Sequence, residues 1–355
     1  MPTHWLAIGD PQTTLERLLE VLDRNGALTP SGALRPEVGL ISMGDHFDYK
    51  VEGEAARAAG AEEGVRVLRW LADHPRERVR ILAGNHDLVR VQELHAVSDA
   101  DFLAIREAQL GEAALRERFP TIPNWRVCER DFGSFRSDQR ALVQRLLVAG
   151  RLELALVAAV AGRPALLSHA GVTGRELGLL SVAPAGDPRR VAAAMAELLR
   201  ERVAAVRGAW ARGEAAPLDL APLHHTGAAG AEAGGSFAHR PANPERDGVD
   251  APWEFDRGRP RRFDPRDLPR GLMQVVGHTQ HHKLKTELVP WVDPGTHAAA
   301  HGLRTVLVGD GVRYLPGLRL PAADEAALVC TDFAMHRAPG PDLALLRVDA
   351  VDPPA

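Results

Sequence analysis

Short apolar runs, each closed by a glycine and then at once by an acid or an amide, punctuate the N-terminal quarter of the chain. Residues 4–9 end at Gly9-Asp10, residues 38–43 at Gly44-Asp45, and residues 79–83 at Gly84-Asn85. Between the first two, Leu15, Leu18, Leu19 and Leu22 recur at helical spacing, and an alanine-rich stretch over 54–72 reads as a second helix. Strands that alternate with helices predict an α/β (α+β layered) fold, with each polar cluster where a strand gives way to a loop. Open α/β sheets bind ligands at the carboxyl ends of their strands, so these clusters are where function is sought.

The rest of the chain continues the pattern with one interruption. Residues 100–147 read as helical; 152–160 and 165–167 are apolar again, and His169 follows the second run. A long Arg/Ala helix is predicted over 188–212. Residues 273–276 form a strand ending at Gly277-His278, and residues 305–308 and 312–315 flank Gly309-Asp310-Gly311 as a β-hairpin. The last strands are expected at 327–330 and 343–348. The interruption is 213–270, rich in Gly, Pro, Arg and Asp with little periodicity. A stretch of that length without structure of its own is usually functional or disordered. Phe237, Trp253, Phe255 and Phe263 lie within it, in a chain with only 5% aromatic residues. Part of it is therefore expected to pack, and the chain reads as a single domain over 1–355 with 213–270 as an insert serving as a lid.

Composition narrows the partners. At 355 residues, 45% hydrophobic and 25% charged, the chain can bury a sizeable core. Its net charge of −4 and lack of a long basic run argue against nucleic acid as a partner. Lysine occurs only at Lys50, Lys283 and Lys285, so arginine carries nearly all the positive charge and an arginine cluster by itself says little. Cys128 and Cys330 are the only cysteines, which excludes a disulfide framework and a thiolate metal site. With no apolar run long enough to span a bilayer, the expectation is a cytoplasmic protein with no membrane association.

The residues that close the apolar runs are Asp10 with Gln12, Asp45 with Asp48, Asn85 with His86, then His169 and His278. Every one is a metal ligand or a proton-transfer group, and independent turns would not place such groups after successive strands. The set resembles the signature of the calcineurin-like metallophosphoesterases: Asp-x-His, Gly-Asp-x-x-Asp, Gly-Asn-His-Asp/Glu, a lone His and Gly-His. Ser168-His169-Ala170-Gly171-Val172 and Val275-Val276-Gly277-His278-Thr279 are similar to the phosphoprotein phosphatase branch, which includes protein Ser/Thr phosphatases and symmetrical diadenosine tetraphosphatases. The resemblance implies a central β-sandwich flanked by helices, with a dinuclear metal site at the strand ends.

In that arrangement Asp45 bridges two divalent cations, one also held by Asp10 and Gln12, the other by Asn85, His169 and His278. A hydroxide shared by the two ions attacks phosphorus in line. His86 is then the general acid for the leaving oxygen, oriented by Asp48. Two departures from the family pattern bear on the metal: Gln12 stands where a histidine is usual, and Gln280 where many relatives carry a second ligand histidine. The first site is thus oxygen-rich, which points to manganese, with magnesium, iron or zinc as alternatives. A third departure is Tyr49, where the phosphatase branch has an arginine, so a phosphate-binding cation is sought at Arg240, Arg262 or Lys50. His46, His281 and His282 are expected on the surface or behind the ligands; His224, His225, His297 and His301 are expected on the surface, and Cys330-Thr331-Asp332-Phe333 as structural.

The activity expected is metal-dependent hydrolysis of a phosphomonoester, the substrate being a phosphorylated small molecule, a nucleotide or a phosphoprotein. Two alternatives use the same fold: hydrolysis of a nucleotide phosphoanhydride of the dinucleoside polyphosphate type, and a degenerate binding protein without turnover.

Overall fold

The computed structural model describes residues 2–49, 53–183, 187–228, 230–246, 255, 258–298, 302–338 and 343–353. The chain begins β1 (His4–Ile8), α1 (Leu15–Arg24), β2 (Val38–Ser42), α2 (Glu54–Asp73), β3 (Val79–Leu82) and a single helical turn α3 (Asn85–Leu88). Four helices follow: α4 (Asp99–Arg106), α5 (Glu112–Arg118), α6 (Trp125–Arg130) and α7 (Ser137–Val148). Then come β4 (Leu152–Glu153), β5 (Ala155–Val160), β6 (Arg163–Ser168), α8 (Gly174–Leu179) and α9 (Pro188–Ala211). Two-residue strands β7 (His224–His225), β8 (Gly234–Gly235), β9 (Arg240–Pro241) and β10 (Arg262–Phe263) lie in the irregular stretch. The chain closes with β11 (Met273–Val276), α10 (His281–Glu287), α11 (Pro294–Ala298), β12 (Arg304–Val308), β13 (Val312–Pro316), β14 (Ala326–Cys330), β15 (Leu346–Val348) and β16 (Ala350–Val351).

Helix starts follow their caps. Thr14 Oγ1 accepts the Arg17 N–H at the head of α1, and Asp187 accepts the Arg189 N–H at the head of α9, where Pro188 takes the first turn that needs no donor. The hairpin at 309–311 forms as expected, with Val308 opposite Val312. One expected strand divides: 152–160 becomes β4 and β5, which belong to different sheets. Near the C-terminus β15 and β16 divide between the sheets in the same way.

The architecture is mixed α/β with helices and sheets in layers. A five-stranded sheet runs β15-β1-β2-β3-β4, parallel except for β15; a seven-stranded sheet runs β13-β12-β14-β11-β6-β5-β16, with β14, β11 and β6 parallel. Strand alternation sorts the core. Trp5, Ala7, Ile41 and Leu82 of the first sheet share an apolar cluster with Leu156, Leu167, Val275 and Val329 of the second. Their neighbours Leu6, Ile8, Leu40 and Ile81 pack instead with leucines of α1, α2, α7 and α9. On the second sheet, Val276, Val306 and Leu328 pack with Leu284 and Leu288 around α10 and with Phe263. The parallel strands β1, β2 and β3 end at Ile8, Ser42 and Leu82, and β6, β11 and β14 at Ser168, Val276 and Cys330. The candidate residues sit just beyond these ends. No helix among the described residues is long and apolar enough to cross a membrane.

Candidate functional site

Backbone geometry at the strand ends is unusual for residues with side chains. Asp45, Asp48 and His278 hold φ of 59°, 65° and 62°. Left-handed backbone at a non-glycine residue costs on the order of 1–3 kcal/mol and concentrates where function demands it. The Asp87 carboxylate holds the β2 end in this shape: it accepts the N–H groups of Gly84 (2.8 Å), Asp45 (3.0 Å) and His46 (3.1 Å), and His46 Nδ1 lies 3.0 Å away. The glycines have steric reasons. A Cβ on Gly84 would fall 2.1 Å from Asp45 Oδ1, and one on Gly277 would fall 2.2 Å from Asp10 Oδ1. That close approach lets the His278 N–H donate to Asp10 Oδ1 at 2.8 Å.

Three side chains converge: one ligand atom each from Asp45, His169 and His278 lie within 4.8 Å of one another. His169 Nδ1 donates to the Met43 carbonyl at 2.8 Å, which leaves Nε2 with its lone pair facing Asn85 Oδ1 at 3.1 Å and Asp45 Oδ1 at 3.4 Å. His278 Nε2 donates to the Ala238 carbonyl at 2.9 Å and leaves Nδ1 as the basic nitrogen. Ligand atoms gathered in one largely buried place, an anionic carboxylate among them, attract a cation. The acids tell the same story. Burial, with Asp332 and Asp45 nearby, pushes the Asp10 carboxyl well above the usual range, and burial lifts Asp332 to about 6. Burial opposes charge on His169 too, but the Asp45 carboxylate beside it raises its pKa above the ordinary value. A positive charge is favoured at this point.

Beside the cluster lies a relay. His86 Nδ1 is 3.0 Å from Asp48 Oδ2, and His86 Nε2 is 4.0 Å from Asp45 Oδ2. Asp48 receives the Arg90 guanidinium on the same oxygen and the Ser134 hydroxyl on the other, at 2.8 Å. Arg90 is fully buried, stacks on Phe47 at 4.8 Å, and is held by Gln139 Oε1 and the His86 carbonyl. Burial works against the Asp48 carboxylate, yet Arg90 and His86 hold its pKa well below the usual range. For His86, burial favours the neutral ring, and Asp45 and Asp48 outweigh it, so its pKa is raised.

The cluster and relay line a cleft of ≈ 410 Å³. Asp10, Gln12, Asp45, Asp48, Asn85, His86 and His278 all face it, while His169 lies fully buried behind Asp45. Gln12 donates its Nε2 to the Phe47 carbonyl at 3.0 Å, leaving its oxygen as the atom available to a cation. Arg240 lines the cleft, and so do Arg261, Glu232 and Ala238, so the described part of 213–270 supplies one wall. Within it Phe237 and Phe263 are buried as expected of a packed insert. Arg262 is elsewhere: its Nε donates to Glu287, and it lines a separate pocket with Phe263 and Asp264. Expected as a phosphate-binding residue, Arg262 is not among the residues that line the cleft. Lys50 and Trp253 lie outside the described residues.

Four residues with a clear place in the site had no role in the sequence reading. Asp332, expected to be structural, lines the cleft; Arg90, Ser134 and Asp87 fix the geometry around it. Arg90 stands four residues after His86, one helical turn on, which was the available signal. His46 does sit behind the ligands, fully buried with Nε2 2.8 Å from Ser42 Oγ, and His281 meets the Tyr314 hydroxyl at 3.0 Å. His224 contradicts its surface expectation: it is buried beside Phe237, and burial pushes its pKa down to about 3. His301 and the side chain of His297 lie outside the described residues. No family model, curated protein or solved structure matches this chain.

Proposed function

We propose that the chain is a metal-dependent phosphoesterase that hydrolyses phosphomonoesters, its two sheets forming a β-sandwich with a dinuclear site at the strand ends. The observation that carries this reading is the convergence of Asp45, His169 and His278 next to the His86–Asp48 pair. The donors fit two divalent ions. Asp45 would be shared between them; Asp10, Gln12 and Asp332 would help to hold one ion through oxygen, and Asn85, His169 and His278 would hold the other through oxygen and nitrogen. Asp332 makes up part of what Gln12 and Gln280 do not give, and an oxygen-rich set of this kind favours Mn²⁺.

When bound, two such ions would supply Lewis acidity, easing the ionisation of water and neutralising phosphate oxygens. The chain's own groups do the rest. His86, protonated, donates from Nε2 to the leaving oxygen while Asp48 holds Nδ1 and steadies the charged ring. Arg90 and Ser134 keep Asp48 ionised and fixed. Arg240, on the cleft wall, binds the phosphate in place of the arginine that Tyr49 replaces.

The test is metal content and turnover together. Chelation should strip the ions and abolish hydrolysis of p-nitrophenyl phosphate, Mn²⁺ should restore it best, and Asp45→Asn should lose both metal and turnover. Full activity in protein assayed as metal-free would sink the proposal. One observation favours a second reading, nucleotide phosphoanhydride hydrolysis: the cleft is lined by Lys283 and Arg337 in addition to Arg240, and by Arg130 and Arg261, which share Glu232, so cations extend along it beyond a single phosphate. A kcat/KM for diadenosine tetraphosphate well above those for p-nitrophenyl phosphate and a phosphopeptide would select it.

A further inference from the structure

A second cavity, of ≈ 440 Å³, shares no residue with the cleft. It opens between α9 and the β4–β5 edge, in the size range of small-molecule sites. Its floor is apolar: Leu147, Leu152, Leu154 and Leu156 from below, Leu199 and Val203 from the helix. On the same side of the cavity α9 presents Ala192, Ala193, Ala196 and, two turns further on, Ala204, so methyl groups stand where longer side chains would have closed the gap. Val148, at its edge, is 51% exposed, uncommon for a large apolar side chain in this chain.

Arginines ring this floor. Arg76, Arg80, Arg189, Arg200 and Arg207 line the cavity against only Glu153 and Asp352. Arg76 and Arg80 share the single Glu153 carboxylate, Arg80 also donates to the Asp352 carbonyl, and Arg189 holds the Asp352 side chain. Arg200 pairs outward with Glu197, and Arg207 has no ion pair or hydrogen bond among the described residues. The Arg76 Nε–H is buried without an acceptor. A buried donor without a partner is costly, and a ligand oxygen is one way to satisfy it. An apolar body with a single anionic head matches both halves of this lining, and a wholly apolar or a wholly polar ligand matches only one.

We propose that the cavity beneath α9 binds a small, freely dissolved amphipathic carboxylate, its chain on the leucine floor and its head among the arginines. This does not depend on the hydrolytic reading of the cleft.

The experiment is calorimetric titration of the full chain with decanoate, and with decan-1-ol as the uncharged match. Decanoate should saturate one site with a dissociation constant below about 1 mM, and decanol should bind about tenfold more weakly or worse. Ala196→Phe fills the cavity and Ala193→Phe, at an exposed helix position, does so with less risk to folding; either should weaken decanoate by about tenfold or more while the thermal midpoint holds. Arg200→Ala with Arg207→Ala should weaken decanoate and leave decanol unchanged. Absence of saturable binding, equal binding of the alcohol, or indifference to both filling variants would overturn the proposal. So would a dimer in sedimentation, or adhesion to phosphatidylglycerol vesicles, that Ala193→Phe abolishes, since the groove would then belong to a second copy or to a lipid surface.

Discussion

His86 Nδ1 and Asp48 Oδ2 lie 3.0 Å apart although one residue lies in the helical turn after β3 and the other in the loop after β2. The contact sets the tautomer: Nδ1 carries the proton shared with the carboxylate, and Nε2 is turned to the Asp45 side. His86→Ala should therefore keep its metals and lower kcat by ~10²–10⁴-fold on alkyl phosphates, with a smaller loss on p-nitrophenyl phosphate, whose leaving group needs less help. Because Asp48 helps to raise the His86 pKa, Asp48→Asn should move the alkaline limb of the kcat profile to lower pH. An equal His86→Ala loss on both esters would refute the acid role.

Arg90 is the residue on which this pair depends for stability. It is fully buried and donates to the Asp48 carboxylate, whose side chain is 2% exposed. Arg90→Leu would leave that carboxylate buried without its cation, a change that costs about 3–5 kcal/mol. Denaturant unfolding should show this loss, and Asp48→Asn placed in the Arg90→Leu background should recover part of it. If the double variant is less stable than Arg90→Leu alone, the ion pair is not the source of the loss.

The glycines at the strand ends, each with its ligand directly after it, were legible in the sequence for a steric reason. At Gly84 and Gly277 a side chain would collide with the Asp45 and Asp10 carboxylates, so only Gly-ligand pairs fit where these strands end together, and that constraint appears as a linear motif. Asp332 carries no such mark. It reaches the cleft because β14 lies beside β11 in parallel register, Val276 opposite Cys330, a pairing between segments far apart in sequence. Arg90 was hidden for a different reason, since arginine is so abundant that one more at a helical spacing stands out little. The split of 152–160 between two sheets was not legible either, because apart from Glu153 the stretch is one continuous apolar run and hydrophobicity alone does not say which neighbours a strand takes.

Arg240 and Arg262 face each other across the short β9–β10 pairing, yet their surroundings differ. Arg240 lines the cleft, and Arg262 is held by Glu287. Arg240→Ala should raise KM or lower kcat/KM without changing metal content, the signature of lost ground-state or transition-state phosphate binding. Arg262→Ala should leave kcat/KM unchanged while lowering stability, because it leaves the largely buried Glu287 carboxylate without its cation. Steady-state kinetics and unfolding of the two variants separate the roles, and a kinetic defect confined to Arg262→Ala would reverse the assignment.

Glu93 ties the helical segment to the irregular stretch, its Oε1 accepting the Gly227 N–H at 2.7 Å where both meet the cleft. It is 3% exposed, and burial raises its pKa from the ordinary 4.5 to about 7 against the opposing pull of the Gly227 N–H that it accepts and, more weakly, of Arg259. The sign comes from linkage: as pH climbs from about 4.5 to about 7 the unfolded chain releases this proton while the folded one keeps it, so stability falls across that window and then levels. The full effect is on the order of 3 kcal/mol. Glu93→Gln retains the oxygen that Gly227 needs and removes the titration. Its stability relative to the parent chain, measured by denaturant unfolding at intervals from pH 4 to pH 8.5, should therefore rise through the window and stay constant above it. A difference that is flat over the whole range would mean that Glu93 ionises in the folded protein as an exposed glutamate does.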